Sequence, residues 1–132
     1  MDENNEKLEK SIKYWQDGAL SDFKAAQGLF ENKSYPQCLF FCHLTVEKLL
    51  KALVVKEIKD SAPYIHDLRR LADMAKLDLN EEKMKLLDDI SIFNVRGRYP
   101  EEKFSFYVEY NKKDIAKKYL KITKDLILWL KE

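Results

Sequence analysis

Glycine and proline are scarce, with three of each in 132 residues. A fold of many short strands needs a turn roughly every eight to twelve residues, and the residues that make such turns are largely missing. Long apolar runs are missing too: nothing approaches the roughly 20 residues of a membrane-spanning helix. The opening Met1-Asp2-Glu3-Asn4-Asn5-Glu6 is polar and acidic, the reverse of a secretory leader, so a cytoplasmic protein is expected. Charge of one sign is lacking as well. A net charge of +1 neither draws nucleic acid nor repels it globally. Cysteine is limited to Cys38 and Cys42, four residues apart with no second pair elsewhere. That spacing suits neither a disulfide nor a known zinc site, so both are read as buried thiols, and neither metal nor cofactor is expected.

What remains is helical. Hydrophobic residues are 45% and charged residues 36% of the chain, enough for one core and solvated helix faces over a single domain, residues 1–132. Ile12, Trp15, Ala19, Phe23, Ala26 and Phe30 recur at steps of three and four, predicting a first helix over about 6–32. Ser34 is placed to cap a second helix, with Pro36 in its first turn, running to about residue 59. That helix is apolar on nearly every side, which predicts a central position, yet it carries Glu47, Lys48 and Lys51. A short helix starts near His66 or Asp67. Asn80 caps a fourth, whose first turn holds Glu81 and Glu82 and which fails before Pro100. Residues 100–110 have a strand-like composition without a partner strand and are read as an extended connection. The last helix places Ile115, Tyr119, Ile122, Leu126 and Trp129 in one narrow arc, with Lys113, Lys117, Lys121, Lys124 and Lys131 opposite. The expected fold is an all-α up-and-down bundle of about five helices. Phe40, Phe41, Leu44, Leu128 and Leu130 exceed what one small core needs, which predicts pairing into a homodimer.

Three signals stand in order: Val46-Glu47-Lys48-Leu49-Leu50-Lys51-Ala52-Leu53, then Ile65-His66-Asp67-Leu68, then Arg96-Gly97-Arg98-Tyr99-Pro100. With Trp15 and the Ser34-Tyr35-Pro36 turn, the set resembles the HEPN domain family over about residues 8–130. The resemblance implies a bundle of about five helices, usually homodimeric. It also implies nucleotide or RNA binding beside a small nucleotidyltransferase, as in a toxin–antitoxin-like pair. Many members are metal-independent endoribonucleases whose motif is an Arg followed, after four to six residues, by a His. From Arg96 those positions hold Glu101, Glu102 and Lys103; from Arg98 they hold Lys103, Phe104 and Ser105. The motif is therefore absent, and His43 and His66 are the only histidines.

Arg96 and Arg98 suit an anion clamp, because guanidinium binds phosphate or carboxylate bidentately. In the structural alternative, one Arg ties down the Pro100 loop or pairs with Asp88, Asp89 or Glu47 across the bundle. Tyr99 either packs or stacks on a base. Lys48 and Lys51 either snorkel outward or, with Lys51 behind Glu47, reach a phosphate. His43 lies one turn before Glu47, within contact range. His66 fixes a loop, caps a helix or turns toward Arg96. The expected nucleotide- or anion-binding set is thus Arg96, Arg98, Tyr99, Glu47, Lys51 and His66. Two other readings stay open: a divergent endoribonuclease using His66, and a domain serving only dimerisation or protein docking.

Overall fold

The structure, a computed structural model, describes residues 3–98 and 100–131; the side chains at 95, 97, 98 and 100 lie outside the described set. Its elements are α1 (Glu3–Glu31), α2 (Tyr35–Ile58), α3 (Leu68–Met74), α4 (Glu81–Arg98), α5 (Pro100–Tyr110) and α6 (Lys113–Leu130). The described residues form six helices and no strand.

Helix ends show how a chain poor in glycine closes its helices. Lys33, Lys59 and Lys76 take positive φ values of 63°, 56° and 57°. After α1, Ser34 N–H donates to the Leu29 carbonyl and Lys33 N–H to the Phe30 carbonyl; Leu77 and Lys76 repeat the pattern on Ala72 and Asp73 after α3. These are Schellman closures with lysine where glycine usually sits. The cationic side chain at the negative helix end offsets part of the left-handed strain.

The tight turn over 32–34 lays α1 along α2. Gly18 makes a close approach between them: a Cβ there would sit 3.2 Å from Lys48 Cδ. The missing side chain lets the Lys48 stem cross α1 to reach Asp22 at 2.7 Å, so Lys48 bridges two helices rather than only snorkelling. α2 is the central helix, packed against α1, α3, α4 and α6. Leu39, Val46, Leu50 and Val54 meet Leu68, Leu71, Leu87, Ile90 and Phe93 in the main core. Another face carries Cys38 and Cys42, free and buried against Ala26 and Ala116. The hydrogen bond with Cys42, together with burial, pushes the Cys38 thiol well above its ordinary pKa.

Two expectations about element ends need correction. Ser34 precedes α2 but makes no side-chain cap; Pro36 alone marks the start. His66 does not cap α3, because Asp67 does, accepting from Arg69 N–H and Arg70 N–H. Asn80 does cap α4, accepting from Lys83 N–H at 2.8 Å. The expected apolar arc of α6 is inward and its lysine face exposed.

The largest correction concerns residues 100–110, which are a helix rather than an extended connection and raise the count from five to six. Pro100 opens α5, and Glu101 and Glu102 complement its positive end. Phe106 is fully buried. It lies 6.2 Å from the Phe93 ring and 5.3 Å from Tyr110, one turn along, while Tyr119 of α6 meets Phe93 edge-on at 4.9 Å. Aromatic residues that read as strand-forming dock instead at helical spacing. Burial, with Asp89 and Tyr110 nearby, raises the Tyr119 pKa. Among the described residues no helix is long and apolar enough to cross a membrane.

A buried carboxylate beside an aromatic cleft

Glu47 is the hub of the polar site. It lies midway along α2 and is only 5% exposed, as is Lys51 one turn later. Lys51 Nζ donates to Glu47 Oε2 at 3.0 Å. The other carboxylate oxygen receives His66 Nδ1 at 3.1 Å and faces His43 Nδ1 at 3.7 Å. Because a carboxylate accepts, Nδ1 of His66 carries the proton of this hydrogen bond. His43 Nε2 in turn donates to the His66 backbone carbonyl at 3.1 Å, since a carbonyl can only accept.

This network pins the 59–67 connection onto α2. His43 and Glu47 hold its far end from below, and Leu68 N–H donates to Ser91 Oγ of α4 at 3.2 Å. The His66 side chain itself remains half exposed. Burial of Glu47 is tolerable because each oxygen has a charged or polar partner; unpaired, it would be strongly destabilised in the core.

The Lys51 ammonium also lies 5.2 Å from the Trp15 ring centroid of α1. It reaches a cleft of about 430 Å³ walled by Ser11, Tyr14, Trp15, Ser61 and Tyr64. Tyr14 and Trp15 pack edge-on at 5.1 Å. Tyr14 is 68% exposed and Tyr64 fully so. A somewhat larger cleft, about 470 Å³, lies between α1, α2 and the end of α6. Its floor is aliphatic (Ile12, Leu20, Leu49, Leu53 and Leu130) and no part of the Glu47 network enters it. Of the two, the smaller cleft is the one that the Glu47 network reaches, through Lys51.

The structure brings together three of the six expected site residues: Glu47, Lys51 and His66. Lys51 does not snorkel outward but turns in on Glu47. Arg96 is engaged elsewhere. Its Nη1 donates to Glu109 at 2.6 Å, its Nη2 to Ser105 at 2.9 Å and its Nε to Glu102 at 3.3 Å, all on α5. The guanidinium also lies 5.5 Å from the Tyr110 ring. Of the expected structural partners, Asp88 pairs with Arg69 and Asp89 with Lys85 instead. The Glu109 hydrogen bond raises the Arg96 pKa further, so the group is permanently charged. The Arg98 side chain and Tyr99 lie outside the described residues.

Sequence reasoning missed the cleft aromatics. Tyr14 falls off the apolar stripe of α1, and Tyr64 follows Pro63 in a loop; an aromatic residue on a solvent face was the available signal. Among the described residues, no group of three or more His, Cys, Asp or Glu side chains is arranged to hold a metal ion.

The fold resembles the crystal structure of TT1696 from Thermus thermophilus, with a TM-score of 0.75 and 18% identity over 91% of this chain and 95% of that one. At that identity the likeness is one of fold. A search of curated proteins finds no match. A family model described as HEPN domain matches residues 12–132, so α2, the Glu47 network and all but the start of α1 lie within the matched region, and the chain belongs to the HEPN domain family.

Proposed function

We propose that this chain is a nucleotide- or RNA-binding module whose ligand enters the cleft beside Glu47 and Lys51. One observation carries the reading: Lys51, almost wholly buried, has its ammonium between a carboxylate and an indole at a cleft walled by exposed aromatic rings. Burying a lysine is costly and the core did not require it. Bases stack on aromatic side chains, and a lysine donor alongside suits a phosphate or a base edge.

In this reading the chain works as a homodimer with a small nucleotidyltransferase partner, in the manner of a toxin–antitoxin pair. Membership of the family supports that arrangement. So do Phe104 and Val108, 80% and 64% exposed one turn apart on α5, because apolar surface of this kind marks contact sites. The Arg96 anion clamp is not part of the proposal, since Glu102 and Glu109 already occupy that guanidinium.

Thermal unfolding with ATP, GTP or a short RNA tests the reading. A ligand present at about 100 times its Kd adds about 2.7 kcal/mol and raises the midpoint visibly. The shift should vanish in Trp15→Leu; no shift with any of the three ligands would refute the reading. Sedimentation of the same samples reports whether two copies assemble.

The Glu47–His66 dyad favours one further reading, a divergent endoribonuclease. A carboxylate that fixes the Nδ1–H tautomer leaves Nε2 as a base, the arrangement general-base catalysis uses. RNA cleavage that persists unchanged in His66→Gln would eliminate it.

A further inference from the structure

We infer that the cleft recognises the flat face of an unstacked nucleobase, free as a nucleoside or unpaired in single-stranded RNA, and not a polyphosphate. The inference rests on the proposed binding function and specifies what that site reads.

A polyphosphate needs cations that are not already neutralised. Lys51, the cation of the cleft, sits 3.0 Å from Glu47. Two further cations on α2 and α4 are paired as well, Lys48 with Asp22 and Arg96 with Glu102 and Glu109. Glu47 thus already balances the positive charge that Lys51 would offer a triphosphate.

The rings point the other way. Tyr64 is fully exposed, yet its loop is anchored two residues later by Glu47 on the His66 ring and by His43 on the His66 carbonyl. The Tyr64 ring is thus presented to water by a fixed backbone. Tyr14 is likewise exposed and braced edge-on by Trp15. Exposed aromatic rings lining one cleft form a stacking platform, and any base offers a π-face to it.

Hydrogen-bonding capacity completes the fit. Glu47 accepts one of the three Lys51 N–H donors, which leaves two to reach ring nitrogens or carbonyl oxygens of a base. The Ser11 and Ser61 hydroxyls line the same cleft and can donate or accept. A cleft of about 430 Å³ is large enough for one base with its ribose.

Binding of adenosine, AMP, ATP and a short single-stranded RNA should be measured by calorimetry on the intact chain and on Tyr64→Ala and Tyr64→Phe. Tyr64 is fully exposed, so both variants should keep the fold, which circular dichroism checks. Adenosine, AMP and ATP should bind within about threefold of one another and weaken little between about 50 and 200 mM salt. Tyr64→Ala should weaken binding on the order of tenfold, and Tyr64→Phe should restore it. RNA binding that depends on Tyr64, with adenosine silent, would assign the base to a strand and still support the inference. ATP binding far tighter than adenosine, with steep salt dependence or indifference to Tyr64→Ala, would overturn it while leaving the nucleotide-binding function standing. No binding of any probe would remove both.

Discussion

Two charge clusters in this molecule use the same chemistry to different ends. Around Glu47 a single carboxylate, 5% exposed, gathers Lys51, His66 and His43 at the centre of the bundle. Around Arg96 a single guanidinium gathers Glu102, Glu109 and Ser105 near the surface, with both carboxylates about half exposed. In the buried cluster Glu47 and Lys51 have little water to fall back on, so each depends on the other. The outer cluster competes with solvent at each contact, and its pairs are individually weak. The first therefore behaves as a fixed hub that sets a loop in place. The second behaves as a latch that ties α5 to α4.

Removing the hubs should separate the two most clearly. Glu47→Ala leaves the Lys51 ammonium buried without a counter-ion and should cost about 3–5 kcal/mol, read by urea denaturation. The double variant Glu47→Leu with Lys51→Met removes both charges and should recover most of that loss. If the double variant is as unstable as the single, burial of an unpaired charge is not the cause.

Arg96→Ala should cost less, about 1 kcal/mol, because solvent replaces much of what the guanidinium supplies. Its effect should be local, with faster amide hydrogen exchange in α5 and none in α2. Uniform exchange across the bundle would contradict the latch.

The weakest effect is expected at alkaline pH, through Tyr119 of α6. Tyr119 has a pKa raised above its ordinary value of 10.0 in the fold. Its contribution is fully present below that ordinary value and is lost as pH rises through the raised one. Tyr119→Phe should flatten the fall in stability above about pH 10, as followed by circular dichroism. An unchanged alkaline profile in that variant would exclude Tyr119 as its source.

How much is legible in the sequence follows the same division. The stripe of α6 and the capping of α4 by Asn80 are local patterns, and both are realised. An all-round apolar α2 requires a central position, and it is central. Residues 100–110 mislead because Phe104, Phe106, Tyr107 and Val108 favour strands on composition. The contact that decides their state is Phe106 and Tyr110 against Phe93, and that pairing joins two successive helices rather than neighbours within one. Of the site, Glu47, Lys51 and His66 stand out in the sequence as polar residues with a purpose, and they do meet. Arg96 stands out for its chemistry, but its partners Glu102, Ser105 and Glu109 become neighbours only because α5 is a helix.

The sequence alone determined an all-helical chain, the order of its main helices and a central helix carrying charge. Hydrophobic period, caps and scarce turn residues act within a few positions of one another and need no tertiary contact. Tertiary structure decided which charge meets which, that Lys51 turns inward while Arg96 closes on α5, and that Tyr14 and Tyr64 face one cleft. Those outcomes depend on how the helices and loops pack around these side chains, which no local pattern sets.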